Sequence, residues 1–122
     1  MDRTFLLLGA IFGFLAVGLG AFGAHGLRGR ISPEMLAVFE TGVRYHMYHA
    51  LALILTSVLM ARISGWLVTT AGWCFVGGIL LFSGSLYALA LSGVTIFGAI
   101  TPFGGLAFLA GWACLAVAAS AL

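Results

Sequence analysis

The sequence contains no lysine, and after Arg62 it carries no charged residue at all. Five arginines and three acidic residues make up its formal charge, 7% of 122 residues, against roughly 25% in soluble domains. No basic cluster exceeds the pair Arg28 and Arg30, which excludes a nucleic-acid footprint. The only cysteines, Cys74 and Cys114, stand alone in apolar runs with no CxxC spacing. Such thiols behave as small hydrophobes rather than as ligands. Also missing are HExxH, GxSxG, a P-loop and a carboxylate pair, so no enzyme class is supported and no cofactor is called for.

Apolar surface fills the space that charge leaves. Hydrophobic residues reach 63% and mean hydropathy is +1.23. A soluble fold of this length leaves too much area exposed to hide that composition. The chain reads as an all-α integral membrane protein, a four-helix bundle with short loops and a single membrane domain. Multi-pass insertion in a membrane is the expected location.

A spanning helix needs about 20 apolar residues. Thr4–Ala24 is an uncharged run of about 21 residues, longer than the roughly 7–15 of a signal-peptide core, and is read as the first span (4–24). Ser32-Pro33-Glu34 is a helix start: cap, proline at the first position, acid in the first turn. The helix that follows is longer than the hydrocarbon requires. Its opening (33–41) is expected at the interface and its later part (42–61) within the bilayer. A third span covers 66–91, and Thr101-Pro102 repeats the cap-and-proline signal to open a fourth at 102–121. Short connections make neighbours antiparallel. Orientation is weakly determined: Arg3 and Arg62 share one side and Arg28 and Arg30 the other, with a lean toward the latter loop being cytoplasmic. Small residues at Gly9/Gly13, Ala16/Gly20 and Ala107/Gly111 allow close helix approach. They serve bundle packing first, with a homo-oligomer or another membrane protein as the remaining kind of partner beside the lipid itself.

The polar residues concentrate in ETGVRYHMYHAL, Glu40 to Leu51. At roughly 100° per residue, Glu40, Arg44 and Tyr48 form one stripe, and Tyr45, His49 and His46 a second arc. Glu40 precedes Arg44 by four, the favourable order for an ion pair. Two accounts compete. The group either anchors the interface through amphipathic rings, or forms a site, because ionisable groups are costly within lipid. Depth decides between them. His46 and His49, spaced i, i+3, together with His25 and Glu40 could offer a metal set, without any strong zinc spacing. A histidine changing charge near neutral pH could serve a proton-linked carrier. The candidate cluster is therefore His25, Glu40, Arg44, Tyr45, His46, Tyr48 and His49. Ser83, Ser85 and Tyr87 are secondary positions, the serines expected to bond a carbonyl one turn back.

Four ordered segments carry a resemblance: GAFGAHGL (Gly20–Leu27), ETGVRYHMYHALAL (Glu40–Leu53), FSGSLYAL (Phe82–Leu89) and ITPFGGLAFLAGW (Ile100–Trp112). Over nearly its whole length the chain resembles the domain-of-unknown-function 423 family of small bacterial membrane proteins, similar also to the animal transmembrane protein 256. The matching positions are Gly23, His25, Gly26, Glu40, Arg44, Tyr45, His46, His49, Ser83, Tyr87, Pro102 and Gly104. The resemblance implies four spans in a bacterial inner membrane and supplies no activity or catalytic residue. A non-enzymatic scaffold or accessory of a membrane complex is the first expectation. A small oligomeric channel or carrier lined by the polar stretch is the second, and a metal- or cofactor-binding membrane protein the third.

Overall fold

The computed structural model describes residues 2–122, and all of its regular structure is helical. The first rod is α1 (Asp2–Ala21), prolonged by a π-helical turn, Phe22–Leu27. The second is α2 (Pro33–Leu59). The third consists of α3 (Trp66–Gly78), a π-helical turn (Ile79–Ser83) and α4 (Gly84–Ser92), running on without a break. The last is α5 (Ile96–Ser120). The chain is a multi-pass membrane protein. Three rods, Arg3–Leu27, Trp66–Ser92 and Ile96–Ser120, are long and apolar enough to cross a bilayer. The second is as long, but its polar stretch lowers its apolarity, and it takes the central place.

The helix ends follow local chemistry. Ser32 Oγ accepts the Met35 N–H at 3.1 Å, and Pro33 occupies the first turn, where its missing N–H costs nothing. Gly93, with φ of 73°, closes α4, its N–H bonding the Leu89 carbonyl at 2.8 Å. One boundary departs from expectation. The final helix opens at Ile96, and Pro102 lies inside it rather than at its start. In lipid the backbone of Ile96–Ile100 has no water to bond, so helix is its cheapest state and the proline is carried within it. Thr101 Oγ1 bonds back to the Phe97 carbonyl at 3.3 Å beside the proline.

Packing relies on aromatic rings seated on glycines. A Cβ at Gly72 would lie 2.4 Å from the Phe5 ring, one at Gly78 2.3 Å from Phe108, and one at Gly111 2.6 Å from Phe75. Gly104 is as tight and less forgiving, because its neighbour is the backbone of Phe82, whose nitrogen would be 2.3 Å away. There α5 and the π turn of the third rod meet main chain to main chain, the small-residue contact that drives association where apolar surface gains nothing by leaving lipid. The outward faces stay apolar, as with Phe14, 79% exposed.

Gly104→Ala is expected to lower the melting temperature in mild detergent, at a cost of about 1–3 kcal/mol, because a backbone neighbour cannot step aside. Gly77→Ala, with nothing within 4 Å of the new methyl, is expected to be neutral or stabilising by up to ~1 kcal/mol. Equal melting curves for the two variants would contradict this packing.

Candidate functional site

The polar stretch divides along α2 into two levels. Gly20 lies against Val43, and Gly23 against Phe39, which sets Glu40 and Arg44 beside the last turns of α1, toward one end of the bundle. His46 lies edge-on to Phe12, midway along the first rod, with ring centroids 5.7 Å apart. His49 is stacked on Phe108, midway along α5, at 3.5 Å and 7°. The two imidazoles therefore sit in the middle of the bundle and are buried, each 4% exposed.

Each imidazole ties α2 to another rod. His46 Nδ1 shares a hydrogen bond of 2.8 Å with the Tyr87 hydroxyl on α4. Its Nε2 is buried and has no hydrogen-bond partner. His49 is committed at both nitrogens. The Tyr45 carbonyl, 2.8 Å from Nδ1, can only accept, so Nδ1 donates. The Trp112 indole can only donate, and its Nε1–H reaches Nε2 at 3.1 Å. Those two neighbours fix the neutral Nδ1–H form, since a proton on Nε2 would face the indole N–H.

The secondary positions form struts as well. Ser83 Oγ donates to the Gly42 carbonyl across the helix interface at 2.7 Å, a longer reach than the expected bond one turn back. Ser85 does bond back, to the Phe82 carbonyl at 2.9 Å, and also meets Thr101 Oγ1 at 2.6 Å.

Other members of the cluster stay apart. Arg44 Nη2 donates to Thr41 Oγ1 at 3.2 Å, and Glu40 makes no ion pair with it. The expected ion pair is thus replaced by a local bond on an exposed turn. His25 is exposed in the π turn after α1, past the level of Phe39. Among the described residues no three of His, Cys, Asp and Glu converge as a metal site would require. The set His25, Glu40, His46 and His49 is not assembled.

What the fold does build around this stretch is a groove of about 820 Å³ between α2 and α5. Tyr45, Tyr48 and His49 form one side, and Pro102, Phe108 and Trp112 stand opposite. Apart from Pro102, its α5 residues were not singled out from sequence, although Pro102, Gly105, Leu109 and Trp112 recur at i, i+3, i+7 and i+10, the spacing of one helix face. Among the described residues no charged one lines it. Neither tyrosine hydroxyl is hydrogen-bonded within the described residues.

A family model described as "Protein of unknown function (DUF423)" matches residues 19–105, a span that includes the polar stretch, the π turn and Pro102. The chain belongs to the DUF423 family. Among its relatives is the UPF0382 membrane protein YwdK of Bacillus subtilis, 56% identical over 118 residues, covering 96% of each chain. Another is a UPF0382 membrane protein of Staphylococcus haemolyticus, 49% identical over 115 residues, with 94% of this chain and 93% of the relative covered. No solved structure matches this family member.

The orphaned nitrogen of His46 gives a sharp test of the strut reading. Tyr87→Phe leaves a buried imidazole without its one bond and is expected to destabilise by about 1–3 kcal/mol. The double change His46→Leu/Tyr87→Phe removes both polar partners and is expected to cost less than the single change. Unfolding of the purified variants in detergent checks the order; a double variant weaker than Tyr87→Phe would contradict it. At the bundle end, Glu40→Ala is expected to unfold no more readily than Glu40→Ala/Arg44→Ala, because no buried charge is stranded.

Proposed function

We propose that the protein is a non-enzymatic membrane accessory that holds a neutral, lipid-soluble small molecule in the groove between α2 and α5. The observation that carries this reading is the groove itself. Its volume of about 820 Å³ falls within the roughly 300–1,000 Å³ of small-molecule sites. Its walls are aromatic faces, which favour a planar ring. Tyr45 and Tyr48 offer hydroxyl donors not used within the described residues, and the absence of lining charge among those residues favours an uncharged ligand. A planar ring bearing carbonyl acceptors, the chemistry of a quinone head group, meets each of these features.

Two other occupants fit less well. A partner helix favours small residues on the receiving surface, whereas this groove presents tyrosines, phenylalanines and a tryptophan. A polar path for ions would need unpaired polar groups in series. Here His46, His49, Ser83 and Ser85 are bonded to their own helix or a neighbouring one.

Calorimetric titration of the full-length protein in detergent with a short-chain benzoquinone tests the proposal. Saturable binding is expected, weakened at least about tenfold, or about 1.4 kcal/mol, by Gly105→Phe. That ring is placed to fill the groove, and the new Cβ meets nothing nearer than 3.9 Å. Undiminished binding by a folded Gly105→Phe protein, or no saturable binding by the wild type, would sink the reading.

A further inference from the structure

A second cleft opens between the end of α1 and the early turns of α2. It measures about 230 Å³ and is lined by Gly20, Phe39, Glu40, Val43 and Arg44. It therefore holds one acid and one base, and among the described residues no other charged group lines it. The two charges stand one turn apart on α2, about 6 Å along its axis, yet they do not pair. Glu40 is half-buried, and its carboxylate has no hydrogen-bond partner among the described residues. Arg44 directs one N–H to Thr41 Oγ1, and a guanidinium carries five. Both signs of charge thus stay open to whatever enters, at a spacing set by the helix.

We propose that this cleft binds the head group of an aminophospholipid, with the ammonium on Glu40 and the phosphate on Arg44. A carboxylate accepts from an ammonium, and a guanidinium fork matches phosphate oxygens. A purely anionic head group would face Glu40 and a purely cationic ligand would face Arg44, so the pair favours a ligand bearing both charges close together. The order of the two charges indicates a lipid rather than a soluble zwitterion. Helix α2 begins at Pro33, at the bundle end, and Glu40 lies one turn nearer that end than Arg44. In an aminophospholipid the amine is outermost, and the phosphate lies between it and the acyl chains. The same order, acid outside and base inside, runs down α2. Beyond Arg44, Leu51 and Leu55 follow at i+7 and i+11 on the same helix face. They are 58% and 44% exposed, and an acyl chain attached to the phosphate would lie along them. Gly20 keeps the α1 wall low, since a Cβ there would come 3.3 Å from Val43 Cγ1. This inference is independent of the groove between α2 and α5, and neither site's lining residues belong to the other.

The experiment uses the full chain reconstituted in phosphatidylcholine vesicles holding a small fraction of spin-labelled phosphatidylethanolamine, with spin-labelled phosphatidylcholine and phosphatidylglycerol in parallel. The wild type is expected to immobilise phosphatidylethanolamine about threefold over phosphatidylcholine, the scale of a half-exposed charge pair. The methylated amine of phosphatidylcholine has no N–H for Glu40. Phosphatidylglycerol, which lacks the amine, is expected to rank below phosphatidylethanolamine. Glu40→Gln is expected to abolish the preference for phosphatidylethanolamine over phosphatidylcholine, and Arg44→Gln to reduce it. The exchange Glu40→Arg/Arg44→Glu keeps both charges but reverses their order, and is expected to lose the preference as Glu40→Gln does. Arg28→Gln/Arg30→Gln is expected to leave it intact. Equal immobilisation of phosphatidylethanolamine and phosphatidylcholine by the wild type would overturn the proposal, as would a preference that survives Glu40→Gln. An equal loss in the Arg28/Arg30 variant would mark a general charge effect and overturn it too. A preference kept by the exchanged pair would contradict the match in depth on which the lipid assignment rests. Displacement of the labelled lipid by millimolar free phosphoethanolamine would assign the cleft to a soluble zwitterion and overturn that assignment.

Discussion

The lipid core offers no hydrogen-bond partner, and the rest of this structure follows from that single constraint. Each polar side chain placed at mid-membrane level must find its partner within the protein. In this chain α2 meets the requirement by standing among the other rods. His46 reaches Tyr87, Gly42 receives Ser83, and His49 receives Trp112. The residues that make α2 the least apolar rod are also those that fasten it. The glycines answer the complementary demand. With no hydrophobic gain from pairing helices in lipid, cohesion comes from close contact, and Phe5, Phe75 and Phe108 are each seated where a side chain is missing.

The polar stretch of α2 lies at two levels. Arg44 lies near the bundle end, exposed and bonded only to Thr41, and needs no buried counter-ion. The imidazoles lie at mid-bundle, where cost is highest; His49 is bonded at both nitrogens and His46 at one. Between these levels Tyr45 and Tyr48 turn outward to α5, and the aromatic groove opens beside them. The π turn Ile79–Ser83 belongs to the same arrangement. Such turns carry one residue more than an α turn and redirect the helix that follows. Here the turn brings Phe82 against Gly104 and Ser83 against Gly42.

Much of the fold was legible because its causes are local. Ser32 and Pro33 start α2 through a cap that depends on residues three positions apart, and the length of each apolar run follows from bilayer thickness. The start of α5 was misplaced for a related reason. Thr101-Pro102 is a sound signal in water, but in lipid the preceding apolar residues have no alternative to helix. The site was legible only in part. Tyr45, Tyr48 and His49 stand out by composition, whereas Phe108 and Trp112 look like any aromatics in an oily helix. The Glu40–Arg44 spacing permits an ion pair, and Arg44 took the nearer hydroxyl of Thr41 instead.

The sequence alone determined that this is a helical membrane protein and that its polar chemistry belongs to one segment. Composition and run length act within each helix, and no neighbour is needed to apply them. Tertiary structure decided which polar groups meet. A helical wheel gives each side chain a direction but not the residue it faces, and His49 found Trp112 only because α5 packs alongside. Depth was decided the same way. The level of the imidazoles came from Phe12 and Phe108 on other rods, which spacing along α2 cannot supply.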